Sequence, residues 1–581
     1  MIAEVYPIMK LPRRCTFFDY AVPNDLHTQV GDLVRMPFKN RSVYGIVAGL
    51  KTTSEAKKLA SLEQVVLNNF LDLHDLTRFS QIANRVVQSV SSVLYTALPH
   101  LPVNGRPTYS QASEAVSIRN HDVQQLEDCL RQIEAHTGLA IAGDLDMGFA
   151  LAFGLRRKMS GQILLLVPRE RDALLLAQYL NLGERTGLLH GHTHATEKAK
   201  LAEAWRLGDL HTLIGTRAAS LLPAKALTAV FILEAGNTEH VNARRNPHFD
   251  AREAAKLLAT QHQAKYLTFD ALPRLEDALN LPLIETVNVP PAYQLVNLGS
   301  AEEISAEPLL SHTLLLAIEK ALQLGKKTLL FLNRKGIAKR LQCGKCGHIP
   351  TCGTCGHIPT VRKEDLVCAN CQTEMWLPHQ CPACGSRHIK LRGIGGAKIK
   401  ESLQTLFPKA SLGSIEKGQL IQPEADIVVA TEYYFTSVRK PFHNQRLGVI
   451  ADLAADITLH ASDFRGSEET ARKLHRLFAF ASRQAAEVYI QTWVPEILQA
   501  MVDLPTFIQA ELDLRQRYHL PPSTSRLLLE NTTLEALPDN LADTARDRGD
   551  VLELTVAHNH DLTALKALPD SVKISLDGPY A

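Results

Sequence analysis

The chain has 581 residues, 45% of them hydrophobic, enough for three or four domains with real cores. Its 63 Lys and Arg nearly balance 61 Asp and Glu, so the net charge of +2 excludes a global positive field and any nucleic-acid surface must be a local patch. No apolar run reaches membrane-spanning length and no cationic leader opens the sequence, so a soluble cytoplasmic protein is expected.

In chain order, residues 2–8, 17–22, 32–36 and 42–47 read as short strands. Gly31, Pro37 and Gly45 punctuate them, and a small β-barrel or β-rich domain is expected over 1–105. Helical periodicity follows over 73–94, and a polar, proline-containing stretch at 104–115 reads as a linker. From 116 to about 280, helical stretches alternate with apolar strands at 139–142, 163–167, 212–214 and 229–233, the pattern of a doubly wound parallel sheet. A second α/β block has strands at 328–332, 427–430, 446–450 and 488–492, with a cysteine-rich segment directly after the first. One helix and an α/β tail close the chain. The expected architecture is α/β and multidomain: a β-rich unit at 1–105, doubly wound lobes at 106–285 and 286–503, a zinc-ribbon-like insertion at 340–390 in the second lobe, and a small α/β unit at 504–581.

Eight of the ten cysteines form four Cys-x-x-Cys pairs: Cys343/Cys346, Cys352/Cys355, Cys368/Cys371 and Cys381/Cys384. Each pair closes a tight turn that aims two thiolates at one point, and two pairs complete the tetrahedral S₄ shell that Zn²⁺ prefers. Two structural Zn²⁺ per chain are expected, although spacing alone does not say which pairs combine. Gly347, Gly356 and Gly385 follow three of the pairs and permit the left-handed turn that points backbone N–H groups at sulfur. The segment Cys-Gly-His-Ile-Pro-Thr occurs twice, at 346–351 and 355–360, as two copies of one knuckle. Disulfides are the alternative; no signal peptide is seen and only Cys15 and Cys129 lie elsewhere, which favours metal.

Phe331-Leu-Asn-Arg-Lys-Gly336, followed by cysteines with this spacing, resembles the PriA family of bacterial replication restart. Further matches are Phe18-Asp19-Tyr20, Arg35-Met-Pro-Phe38 and Gly45-Ile-Val47 in the 3′-end-binding domain. Ile214-Gly-Thr-Arg217 matches the first helicase lobe, Gly393-Ile-Gly-Gly396, Leu406-Phe-Pro408 and Asp463-Phe-Arg465 the second, and Leu520-Pro-Pro522 the C-terminal domain. The resemblance implies two RecA-like helicase lobes, with outer pairs (Cys343, Cys346, Cys381, Cys384) holding one zinc and inner pairs (Cys352, Cys355, Cys368, Cys371) the other. It places Phe18 and Asp19 in a pocket for a DNA 3′ end, one to stack on a base and the other to accept from the 3′-hydroxyl. Lys39 stands where the family has Gly, and Glu63 where it has Lys, so an altered or lost pocket is expected. The family's winged-helix domain is absent from the pattern.

The ATP motifs depart further. A phosphate loop needs Gly-Lys-[Ser/Thr] after a strand, with N–H groups around the phosphates. Here the position reads Gly143-Asp-Leu-Asp-Met-Gly-Phe-Ala150, with Phe149 for Lys, Ala150 for Ser/Thr, and Asp144 and Asp146 where phosphate would sit. Gly325-Lys-Lys-Thr328 precedes its strand and cannot serve. The Asp-Glu-x-His segment reads Leu233-Glu-Ala-Gly236, the Ser-Ala-Thr segment Phe269-Asp-Ala271, and the Gly-rich segment of lobe two Thr431-Glu-Tyr-Tyr-Phe-Thr436. The arginine-finger segment, Ala479-Phe-Ala-Ser-Arg-Gln-Ala485, retains only Arg483.

Lys339, Arg340, Lys345, Arg362, Lys363, Arg387, Lys390 and Arg392 give the zinc segment a basic cluster suited to phosphate or partner contact. Arg156-Arg157-Lys158 reads as a solvated helix end. His190-Gly-His-Thr-His194 could gather imidazoles, but the family's similar turn holds no metal, so a structural role is expected. The expected function is replication restart: binding branched or forked DNA, with single-stranded DNA-binding protein and replicative-helicase loading factors as partners by resemblance, without enzymatic activity and without ATP or Mg²⁺. The competing readings are an active 3′–5′ DNA helicase and a zinc-dependent protein-interaction scaffold.

Overall fold

The structure, a computed structural model, describes all residues except 57, 99–122, 181–184, 243–245, 287–290, 304–306, 308, 333–339, 363–364, 369–370, 372, 393–395, 418–421, 423, 436–446, 461–463, 483, 485, 548–550, 559 and 577–581. The expected linker at 104–115, the Asn333–Gly336 turn, Gly393–Gly395, Lys339, Lys363, Asp463 and Arg483 lie outside the described residues.

The N-terminal strands Ile2–Pro7, Phe18–Ala21, Leu33–Phe38, Arg41–Lys51, Ala60–Ser61 and Gln64–Leu67 form one six-stranded sheet. The Phe18–Ala21 strand lies against Ile2–Pro7, and Arg41–Lys51 lies between Ile2–Pro7 and Leu33–Phe38. Lys39 begins the two-residue turn between Leu33–Phe38 and Arg41–Lys51 with φ 54°, a left-handed conformation that carries an exposed cation. The helical periodicity read over 73–94 resolves into two helices, Leu73–Arg85 and Val90–Ala97. Val87 turns left-handed at φ 51°, and Ser89 starts the second helix by accepting from the Ser92 amide at 3.3 Å.

Seven strands make the first parallel sheet, in the order Leu283–Glu285, Gly138–Ala142, Lys265–Asp270, Leu227–Leu233, Gln162–Leu166, Thr212–Gly215, Thr186–Leu189. Side chains alternate between two cores, as period-2 pleating requires: Leu139, Ile141, Leu165, Phe231 and Phe269 enter one, Leu164, Leu213, Val230 and Ile232 the other. The sheet is therefore covered by helices on both faces, as the apolar runs implied. The strands at 186–189, 265–270 and 283–285 were not anticipated.

A second parallel sheet orders Tyr293–Asn297, Glu487–Thr492, Leu447–Asp452, Lys327–Phe331, Ile427–Ala430, Leu412–Ile415. Its unanticipated strand at Tyr293–Asn297 comes first in the chain, so the cysteine-rich segment follows the second strand and not the first. That segment holds an antiparallel pair, Arg340–Cys343 with Ile389–Arg392, and a three-stranded sheet of Thr360–Arg362, Asp365–Val367 and Glu374–Trp376. Helix Leu504–Arg517 and a four-stranded antiparallel sheet complete the described chain. Among the described residues no helix is long and apolar enough to cross a membrane.

Candidate functional site

The knuckles are built by short local hydrogen bonds. The Gly347, Gly356 and Gly385 amides donate to the carbonyls of Cys343, Cys352 and Cys381 at 3.0, 2.8 and 2.9 Å. All three glycines adopt φ between 67° and 75°, where a side chain would be strained. The fourth knuckle lacks the glycine and is held by the Cys368 amide donating to the Thr373 carbonyl at 3.0 Å. The structure brings together the outer set, Cys343, Cys346, Cys381 and Cys384, and separately the inner set, Cys352, Cys355, Cys368 and Cys371. Sulfur separations are 3.7 Å for Cys343–Cys384, 3.6 Å for Cys346–Cys381, and 3.4 Å for both Cys352–Cys371 and Cys355–Cys368.

A tetrahedral zinc with bonds of about 2.3 Å separates its sulfurs by about 3.8 Å, so both sets fit a zinc ion and neither fits disulfides. The thiols compete when no cation is counted. Burial works against ionising Cys343, yet the Cys346 and Lys345 amides bring its thiol down to about 6, while Cys346 is driven up to about 12. Cys352 falls to about 7 and its partner Cys355 rises. Four thiolates this close ionise together only around a divalent cation.

The repeated Ile-Pro has a use that sequence reading missed. Ile349 and Ile358 are 4% and 5% exposed and pack into the core of the second lobe with Phe331, Leu474 and Phe507. His357 Nε2 lies 2.6 Å from Ser467 Oγ, and the Tyr518 hydroxyl donates to the Thr354 carbonyl at 3.1 Å. The two knuckles of the repeat, at Cys343/Cys346 and Cys352/Cys355, thus each carry an apolar plug. Lys345 and Arg387 are exposed on this insertion, and the side chains of Arg340, Arg362, Lys390 and Arg392 lie outside the described residues.

At the C-terminal edge of the first sheet, where ligands of parallel sheets bind, strand Gly138–Ala142 is followed by only Gly143 and Asp144 before helix Leu145–Lys158. Asp144 caps the helix, its carboxylate accepting from the Met147 amide at 3.0 Å. Gly148 lies inside the helix, where a Cβ would come within 2.8 Å of Leu233 and 2.9 Å of Phe269. Met147, Phe149 and Ala150 are buried in the core. The segment read as a phosphate loop is a helix packed on its sheet. At its far end Lys158 pairs with Glu134 at 2.6 Å and Arg157 is exposed, as a solvated helix end should be, whereas Arg156 is half-buried.

The remaining positions at this edge meet the second lobe. Glu234 pairs with Arg169 at 2.6 Å. A Cβ at Gly236 would lie 2.1 Å from Nε of Arg472, so a side chain there would displace that guanidinium. Through that gap Arg472, on helix Gly466–Ala481, comes 3.5 Å from Asp270 and 2.7 Å from Glu468, and also pairs with Glu469. Arg476 lies 3.7 Å from Asp270 and pairs with Glu432. Arg465 bridges to Glu276 of the first lobe at 2.9 Å, and Arg515 of the C-terminal helix reaches Glu468 at 3.0 Å. Burial raises the Asp270 carboxyl despite both arginines, whereas for Glu468 burial is outweighed by Arg515 and Arg472 and its carboxyl stays low. Apolar contact continues alongside: Ala142, Leu272 and Leu275 of the first lobe share a cluster with Phe331, Ala430 and Tyr434 of the second. Tyr434 and Phe435, in the segment expected to be Gly-rich, stack about Phe331 and Phe480.

In the N-terminal sheet, a pocket of about 800 Å³ is lined by Phe17, Phe18, Asp19, Lys51, Ser54 and Lys58, among others. Phe18 meets Phe38 edge-on at 5.2 Å, so it is both a packing residue and a wall of the pocket. Asp19 pairs with Lys51 at 2.8 Å and accepts from the Ser54 hydroxyl. Burial works to raise the Asp19 carboxyl, but these two donors hold it below the usual carboxylate range. Lys39 and Glu63, the departures thought to alter the pocket, do not line it. Lys51 and Ser54 were missed, since an isolated Lys at a strand end carries no sequence signal.

Comparison with known proteins adds one family match and three relatives. Residues 8–99 match a family model described as the 3′ DNA-binding domain of PriA. The chain is 25% identical, over an alignment 581 positions long, to the replication restart protein PriA of Rickettsia conorii, covering 92% of this chain and 86% of that protein. It is 26% identical over 564 residues to PriA of Rickettsia prowazekii (88% and 85%), and 26% over 377 residues to PriA of Bacillus subtilis (58% and 46%).

Proposed function

Because the chain is a divergent relative of the PriA proteins, we propose that it binds branched or forked DNA in replication restart, as a cytoplasmic scaffold that does not turn over ATP. One contrast carries this proposal. The pocket at Phe18 and Asp19 is open and lies in the segment matching a 3′ DNA-binding model. The strand-to-helix turn that would cradle a triphosphate instead has Asp144 on the Met147 amide at the helix start and Phe149 in the core. A carboxylate on an amide that a phosphate would need repels that ligand, and the buried helix face leaves no lysine to replace it.

In this proposal the layout is a DNA-end unit at 1–105, two lobes at 106–285 and 286–503, and a C-terminal unit at 504–581. Two Zn²⁺ hold the insertion. The exposed Lys345 and Arg387, with the basic residues around them, face phosphates, and single-stranded DNA-binding protein and helicase-loading factors are the partners. A zinc-dependent protein-interaction role is the second reading, favoured by Trp376, which is 87% exposed on the end strand of the insertion's three-stranded sheet. Exposed aromatics of this size anchor interfaces.

Fork DNA binding measured by anisotropy across salt concentrations is expected to give a log–log slope of several units, about −0.9 per phosphate contacted. Salt-independent or undetectable binding to every fork tested would count against it. Millimolar Mg-ATP is expected to leave the melting temperature unchanged, whereas a true ligand at 100 Kd stabilises by about 2.7 kcal/mol. DNA-stimulated phosphate release by pure protein would replace the scaffold with a motor.

A further inference from the structure

The histidine-rich turn expected to be structural has an unforeseen neighbour. Strand Thr186–Leu189 ends at the same edge of the first sheet and delivers His190 and His192 to the start of helix Glu170–Leu180. There the Glu170 carboxylate stands between the two rings. Its Oε1 is 3.0 Å from His190 Nδ1, and its Oε2 contacts His192 Nδ1. One donor atom from each of the three residues lies within 4.8 Å of the others, the same convergence found in the two cysteine sets. His194 takes no part, occupying the position before helix Ala195–Leu207.

We infer that Glu170, His190 and His192 form a third metal site, for an exchangeable divalent transition metal such as Zn²⁺, Ni²⁺ or Co²⁺. Two imidazoles and a carboxylate are the borderline donors these ions accept, and three protein ligands leave positions for water. The site grades from half-buried at His190 to open at His192, whose side chain is 86% exposed. Water therefore reaches the open positions. Two features weaken it relative to the cysteine sets. Lys198 donates to the Gly191 carbonyl at 2.9 Å and brings a cation close, and the N-terminus of helix Glu170–Leu180 points partial positive charge at the ion. A lower affinity and ready exchange follow. A bound ion ties the strand end to the helix on the rim of a cavity of about 240 Å³, which His190 lines with Leu98, Arg217 and Phe249.

The competing account is that two imidazole N–H groups donate to one carboxylate and no ion binds. Titrating the full-length, zinc-loaded protein with Co²⁺ separates the two. One equivalent is expected to bind beyond the cysteine-held zinc, with the weak visible bands of a nitrogen–oxygen site and no intense sulfur-to-cobalt charge transfer. Glu170→Gln and His192→Ala are each expected to weaken that binding roughly tenfold or more while leaving two zincs and the melting temperature in place. His194→Ala is expected to retain it. Absence of the extra equivalent, or unchanged binding in both Glu170→Gln and His192→Ala, overturns the site. Charge-transfer intensity would overturn it too, by assigning the ion to cysteine.

Discussion

Asp19 is already satisfied by Lys51 and Ser54 in the free protein, so in the proposed role a DNA terminus would share that carboxylate with them. Phe18, braced edge-on by Phe38, offers a ring whose stacking on a base is worth about 1–3 kcal/mol. Phe18→Ala is accordingly expected to weaken binding to a fork with a free leading-strand 3′ end by roughly tenfold, and binding to a fork with a blocked end far less; equal losses on both forks would remove Phe18 from end recognition. A second residue-scale effect concerns acid. His240 is fully buried with Nε2 3.0 Å from the Leu233 carbonyl, and burial together with Arg252 lowers it to about 4. Its unfolded value is about 6.5, so the unfolded chain takes up a proton that the folded one refuses. The sign is therefore loss of stability as pH falls from about 6.5 toward 4, by on the order of 3 kcal/mol. Melting temperatures at pH 7 and pH 5 check this: the drop is expected to shrink in His240→Gln.

Among the elements, the two knuckles of the Cys-Gly-His-Ile-Pro-Thr repeat combine a left-handed glycine, a pair of thiols and a buried isoleucine, each serving one end. The glycine shapes the turn, the thiols converge as a metal would need, and Ile349 or Ile358 docks the unit on the second lobe. These tasks separate experimentally. Cys368→Ser is expected to lower zinc from two to one per chain by elemental analysis, and retention of two would mean that the inner set is misassigned. Ile358→Ala is expected to keep both ions and lose about 2–5 kcal/mol of stability through the cavity left behind. Helix Leu145–Lys158 gives the opposite lesson. Gly148 signals a close approach of helix to sheet, and the same residue in a loop would have signalled room for phosphate.

Over the whole molecule, the cleft between the lobes is occupied by buried charge and aromatic packing. Asp270 and Glu276 from the first lobe, Arg465, Arg472 and Glu468 from the second, and Arg515 from the C-terminal helix form one connected set. A buried pair adds little net stability over an apolar substitute, but removing one partner leaves the other unpaired and costs about 3–5 kcal/mol. Arg472→Met is expected to destabilise by that amount, and calorimetry is expected to resolve separate lobe transitions where the parent shows a joint one; an unchanged melting profile would mean that the lobes are held otherwise. Gly236→Ala tests the same junction sterically, since its methyl group collides with Arg472.

Cysteine spacing, the knuckle glycines and the apolar strand runs of both lobes were determined by the sequence itself, because each is encoded by residues within a few positions of one another. The departures at Phe149, Ala150 and Gly236 were equally plain as letters. Tertiary structure alone decided that Phe149 faces a core, that Gly236 admits Arg472 from 236 residues further along the chain, and that Glu170 meets His190 and His192. It also decided that Lys39 and Glu63 stand away from the pocket they were expected to spoil. The physical reason is common to all four. Local periodicity fixes which face of an element is apolar, whereas the partner of a charged or ligating side chain is chosen by how whole elements pack, over separations that no short window of sequence contains.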